Sequence, residues 1–186
     1  MRLIALNKPF GMICQFSPHE ARPSLADCIA TPNVYPAGRL DADSEGLLLL
    51  TDDGGLQARI AEPRHKLAKR YWAQVEGVPT PQALARLANG VDLGDYVSRP
   101  ARVTLLDEPA ALWARTPPIR FRSAIPTSWI ELQIVEGKNR QVRRMTAAVG
   151  FPTLRLVRVS IGALDIFTLG LLPGESCEID PLAPWT

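Results

Sequence analysis

Residues 47–50 are four consecutive leucines inside GLLLLT. A short unbroken apolar run bounded by polar residues predicts a strand buried on both faces. LAKRYWAQVEG behaves differently. It alternates, with Tyr71, Ala73 and Val75 on one face and Trp72, Gln74 and Glu76 on the other, which is the two-residue period of a strand. WIELQIVEG carries an apolar stripe at 130, 132 and 134 and predicts another. RLIAL and GMICQF read as short strands around the turn-like NKPFG. ARVTLL, ALWAR, TLRLVRVSIGALDIF and ESCEI complete the set. NVYPAGRLD enters extended because Tyr35 precedes a proline.

Helical periodicity is clearest in two segments. TPQALARLANG has Thr80 to cap it, Pro81 for its first position and Gly90 for a left-handed end. NRQVRRMTAAVG has Asn139 as cap, Gly150 as stop, and Val142, Met145 and Val149 on one face. LQARIAE predicts a third helix, and Ser24 to Ala30 a short one. Strands and helices mix without a repeating β-α rhythm, and adjacent strands are joined by short turns. The expected fold is α+β, a largely antiparallel or mixed sheet with helices packed on it.

Composition adds few constraints. The 186 residues are 46% apolar and 22% charged, as in ordinary globular domains. No apolar run approaches the roughly 20 residues of a membrane span, and the start has no leader pattern, so the cytoplasm is expected. Cys14, Cys28 and Cys177 are odd in number and widely spaced, which argues against a disulfide framework. With only His19 and His65 beside them, a metal site is not expected. There is no glycine-rich phosphate loop, so no nucleotide cofactor is expected either.

Charge is more informative in its distribution than in its sum of +2. From Gly137 to Leu164 there are six basic residues and no acidic one; from Ala37 to Gly54 five acids stand against Arg39. An acidic and a basic element in one small chain suit two faces of one cleft. In GRLD, Arg39 and Asp41 point the same way if the piece is extended. The buried leucines after them would then fix Asp41 in place. A plain turn, with Asp41 or Asp43 bonding nearby amides, explains the same residues. Asp43, Glu45, Asp52 and Asp53 are read as acids that solubilise the ends of a hydrophobic strand and build turns. On the 139–150 helix, Arg140 and Arg144 share a face suited to phosphates. Arg143 flanks the apolar face and, if partly buried, needs an acid; a solvated basic face is the plainer reading. Tyr71 is either core or an aromatic platform for a flat ligand such as a base.

Five segments in order, LNKPFGMICQ, GRLDADSEGLLLLTDDG, KRYWAQVEG, EGKNRQVRRM and RLVRVSIGALDI with LLPGE, resemble the pseudouridine synthases of ribosomal RNA, in the branch typified by the small-subunit enzyme. The resemblance covers nearly the whole chain. It implies isomerisation of uridine to pseudouridine by base flipping, glycosidic cleavage, rotation of the base and reattachment through C5, with no metal or organic cofactor. It implies a ribosomal RNA partner, 23S before 16S, and a monomer. It assigns the essential aspartate to Asp41, the tyrosine against the base to Tyr71, and the cation pairing with the aspartate to Arg143. Arg39 and Leu156 would contact the flipped nucleotide, with Lys138, Arg140 and Arg144 as further RNA contacts. The implied fold is a long mixed sheet of two lobes, residues 1–63 and 64–186, with the cleft across its middle. The small S4-type RNA-binding domain of many members is expected to be absent, and PLAPWT at the end has no counterpart. A non-catalytic RNA-binding or ribosome-assembly protein, a hydrolase using Asp41 with Asp43 or Glu45, and ordinary surface charge are the alternatives. None of them accounts for five matching segments in order.

Overall fold

The structure, a computed structural model, describes residues 1–65, 67–120 and 124–186. The strands are β1 (Leu3–Lys8), β2 (Tyr35–Pro36), β3 (Ser44–Thr51), β4 (Lys69–Glu76), β5 (Arg102–Leu106), β6 (Thr127–Ile134), β7 (Thr153–Ile161), β8 (Leu164–Asp165) and β9 (Ser176–Ile179). They form one sheet in the order β5-β6-β4-β7-β3-β1-β9, with β2 on β3 and β8 on β7. Every pairing is antiparallel except β3 with β7, which is parallel. The α+β expectation of a mixed, largely antiparallel sheet is therefore met.

The sheet is covered on both faces at its centre. Leu48 and Leu50 join Tyr71, Ala73, Val75, Ile130 and Leu132 on one face. Helices α2 (Pro81–Asn89) and α3 (Gln141–Ala148) contribute Ala83, Leu87, Val142 and Met145 to that layer. Leu47 and Leu49 join Val157, Val159 and Ile161 on the other face, with α1 (Gly54–Ala61) and α4 (Ile166–Leu169). All eight residues of β3 are buried, while β4 alternates residue by residue. The leucine run and the alternating strand thus behave as their patterns predict.

Several local expectations fail for identifiable reasons. GMICQF forms no strand, because both edges of β1 are already taken by β3 and β9. Its backbone is tied into loops: Gly11 N–H donates to Ala42 O at 2.7 Å and Ile13 N–H to Pro23 O at 3.0 Å. ALWAR is also not a strand; Leu112 and Trp113 are packed against the second face without joining the sheet. Residues 24–30 hold only a single 3-10 turn, Leu25–Asp27. Gly90 ends α2 at φ 100°, ψ 144°, outside the left-handed helical well. The closing segment is docked, with Ala163 N–H donating to Pro184 O at 3.0 Å and Arg59 lying over the Trp185 ring.

One glycine sets how closely β3 and β7 approach. Gly46 sits opposite Arg158 at φ +100°, and a Cβ there would lie 2.3 Å from the Arg158 carbonyl oxygen. The obstacle is backbone, so it cannot swing aside. Gly46→Ala is expected to cost at least about 3 kcal/mol in chemical denaturation, from left-handed strain plus the clash. Gly54→Ala, where nothing lies within 4 Å, is the control and should stay within about 0.5 kcal/mol.

Candidate active site

The sheet register assembles a cleft. Ser44 pairs with Leu156, so the loop before β3 opens over β7. Tyr71 lies opposite Arg158, and Ala73 opposite Leu156. Lys69 lies opposite Ile134 at the end of β6, so the turn leaving β6 rises over the start of β4. Between these pieces is a cleft of about 840 Å³. Arg39 and Asp41 enter it from the loop, Tyr71 and Leu156 from the sheet, and Lys138 and Arg140 from the turn before α3. Six of the eight residues singled out in the sequence are therefore brought together.

The Asp41 loop is held at several points. Gly38 takes φ +87°. Asp41 O accepts from Ser44 N at 3.0 Å, and Ala42 O from Gly11 N at 2.7 Å. The Asp41 carboxylate, about one-third exposed, is 3.6 Å from Arg140 Nη1. The stronger anchor is Asp43. Arg140 grips its carboxylate with both Nη atoms, at 3.0 and 2.9 Å. Burial alone would raise the Asp43 pKa, but the hydrogen bonds from Arg140 and the charges of Arg143 and Arg140 hold it below the ordinary carboxylate value.

Arg143 does not pair directly with Asp41. It donates to Asp43 O at 2.7 Å and Thr153 O at 3.3 Å, and its Nε is 3.5 Å from the Asp43 carboxylate. Its side chain is mostly buried behind the cleft wall. Arg144 also lies outside the cleft lining. Its guanidinium is held by Asp95 and by Leu93 O and lies over the Tyr96 ring.

The start of α3 explains this division. Asn139 is not the cap. Arg140 takes that position in the left-handed conformation, φ 50°, ψ 28°, without a side-chain cap. Such backbone costs a non-glycine residue about 1–2 kcal/mol. Gln141 organises the turn instead: its Oε1 accepts from Lys138 N at 3.2 Å and its Nε2 donates to Glu136 at 2.6 Å. The Arg140 side chain is thereby turned toward the aspartates.

Glu45 corrects the reading of the flanking acids. β3 already begins at Ser44, so Glu45 lies inside the strand, on the face opposite the cleft. It is 1% exposed and bonded to Arg155 at 2.9 Å through both carboxylate oxygens. Trp113 Nε1 donates to it at 2.9 Å, and Arg155 returns a bond to Trp113 O. Asp53, by contrast, is a cap: it accepts from Leu56 N at 2.7 Å.

Two cleft residues escaped the sequence reading. Lys69 is 5% exposed and Arg158 is 2% exposed, and both line the cleft. The available signal was position: each stands on the same face as an inward-facing residue two places along its strand, Tyr71 and Leu156. Arg158 donates to Leu47 O at 2.8 Å and to Arg39 O at 3.5 Å, bracing the loop that carries Asp41. Burial, and next the charge of Arg158, lower the Lys69 pKa to about 8.

The chain is similar to known proteins in both sequence and fold. The profile of the family described as RNA pseudouridylate synthase matches residues 2–148. The chain is 58% identical to ribosomal large subunit pseudouridine synthase E of Xanthomonas axonopodis pv. citri over 162 residues, 86% of this chain and 85% of that one. It is 53% identical to the protein of the same name from Vibrio vulnificus, over 96% of this chain and 75% of that one. A solved pseudouridylate synthase superposes with a TM-score of 0.80 at 29% identity, covering 98% of this chain and 72% of that one. The chain belongs to the RNA pseudouridylate synthase family.

Proposed function

We propose that the protein converts a uridine of large-subunit ribosomal RNA to pseudouridine in this cleft. The observation that carries the reading is the convergence of Asp41, Tyr71 and Leu156 in one cleft with a cationic rim. The relatives named for the large ribosomal subunit support the choice of RNA.

The target nucleotide leaves its stack, at a cost of a few kcal/mol. Its base lies against the Tyr71 ring with Leu156 beside it, and the Asp41 carboxylate faces the sugar. The C1′–N1 bond breaks, the base turns, and C5 bonds to C1′. C5 then loses its proton by way of the Tyr71 hydroxyl, which releases its own proton as it accepts, and N1 gains one. Nothing is oxidised or consumed, so the residues suffice without a cofactor. The protein works as a monomer in the cytoplasm. No helix among the described residues is long and apolar enough to cross a membrane.

Tritium release from RNA labelled at uridine C5 tests the reading. Release from large-subunit RNA with little from small-subunit RNA is expected. RNA binding without release from either would favour a non-catalytic RNA-binding protein.

The rim divides by what already holds each cation. Arg39 and Lys138 line the cleft and make no carboxylate ion pair among the described residues, whereas Arg144 is committed to Asp95. Arg39→Ala and Lys138→Ala should each weaken RNA binding and reduce the log–log salt slope by about 1. Arg144→Ala should leave the slope unchanged. A wild-type slope in Arg39→Ala and Lys138→Ala would mean these cations do not meet phosphate.

A further inference from the structure

Two of the most deeply buried charges in the cleft have no carboxylate partner among the described residues. Lys69 and Arg158 make no ion pair among the described residues. Among the described residues the Lys69 ammonium has one long hydrogen bond, 3.4 Å to Leu67 O, and it lies against Gly137, itself part of the cleft lining. Arg158 Nη2 is buried without a hydrogen-bond partner among the described residues. Lys8, also fully buried, differs: its ammonium is satisfied by Pro9 O at 3.0 Å and Met12 O at 2.8 Å. A buried charge without a partner is costly, and such costs persist where function requires them.

Their positions say what they face. Arg158 lies directly across from Tyr71, and Lys69 is two residues before Tyr71 on the same face of β4. They therefore flank the ring that receives the base. Phosphates of an extruded nucleotide stay near the mouth, where Arg140 is 45% exposed; the base travels deepest. Uracil within uridine is neutral. Once the C1′–N1 bond breaks with its electron pair left on N1, the base is an anion whose charge spreads over N1, O2 and O4. Reattachment discharges it: the ring's π electrons form the C5–C1′ bond, C5 gives up its proton and N1 takes one.

We propose that Lys69 and Arg158 form a two-cation seat at the floor of the cleft that receives the negative charge of the detached uracil. The inference rests on the isomerase reading above. Preorganised cations that meet charge only as it develops lower the barrier without tightening ground-state binding. Arg158 has a second task, bracing the Asp41 loop through Arg39 O, so Lys69 is the residue to change.

The experiment compares wild type, Lys69→Met and Lys69→Arg on C5-tritiated large-subunit RNA. It reads the single-turnover rate at saturating RNA, the Kd across a salt series, and Tm. Lys69→Met is expected to lose about 100-fold or more in rate. Its Kd should stay within about twofold, its salt slope should not change, and its Tm should be no lower than wild type. Lys69→Arg should recover part of the rate. A Lys69→Met rate within about threefold of wild type overturns the proposal. So does a loss confined to Kd with a shallower slope, which assigns Lys69 to a phosphate. So does a rate loss accompanied by a fall in Tm, which makes Lys69 structural. No release by wild type would count against the isomerase reading; release by wild type and equally by Lys69→Met would count against this seat alone.

Discussion

Asp41→Asn should release no tritium from C5-labelled RNA above background while binding that RNA within about twofold of wild type. The expected loss is on the order of 10⁴-fold or more, since the substitution removes the one carboxylate that lines the cleft among the described residues and spares its shape. The change is local. Asp41 is about one-third exposed and its only ion pair among the described residues is the 3.6 Å contact to Arg140, a geometry worth about 0–1 kcal/mol. The loop remains held through Asp41 O, Ala42 O and Asp43. Tm should therefore stay within about 2–4 °C of wild type. Full activity in the variant would remove Asp41 from the chemistry. Loss of RNA affinity in parallel with activity would make it a binding residue.

Arg155→Leu should be the most destabilising single side-chain replacement away from the cleft. It leaves the Glu45 carboxylate, 1% exposed, with only the Trp113 indole N–H of its present partners among the described residues. Breaking a buried pair from one side costs about 3–5 kcal/mol, or roughly 10 °C in Tm for a chain of this size. The double variant Glu45→Leu/Arg155→Leu should regain more than half of that, because no uncompensated charge remains. Urea denaturation of the two single variants and the double variant measures the coupling. Additive losses would show that the pair contributes little. Because Trp113 is bonded to both partners, the 107–120 segment should also become more susceptible to proteolysis in Arg155→Leu.

The sequence pattern was most legible where one periodicity dominated. The leucine run, the Tyr71 strand and the apolar faces of α2 and α3 are read from side-chain spacing, and the structure buries those faces. Apolar segments that bury without pairing were not legible. GMICQF and ALWAR have the composition of strands, but β1 has no free edge and Trp113 goes to Glu45. Spacing does not report which sheet edges are already occupied. The same limit explains Glu45. Because β3 begins at Ser44 and not at Gly46, Glu45 is a buried ion and not a solvated flank. Arg140 is legible as a cation, yet its left-handed backbone, which turns it toward Asp41 and Asp43, has no local signature. Lys69 and Arg158 become conspicuous only once the register shows them on the cleft face beside Tyr71.

Pseudouridine formation in large-subunit ribosomal RNA and its proposed dependence on Asp41 can be read together in cells. The most direct measurement is nucleotide-resolution mapping of pseudouridine in ribosomal RNA from cells that lack the protein, with either wild type or Asp41→Asn restored. A large-subunit pseudouridine is expected to be lost, to return with wild type and not to return with Asp41→Asn. An unchanged map in the absence of the protein, or restoration by Asp41→Asn, would contradict it.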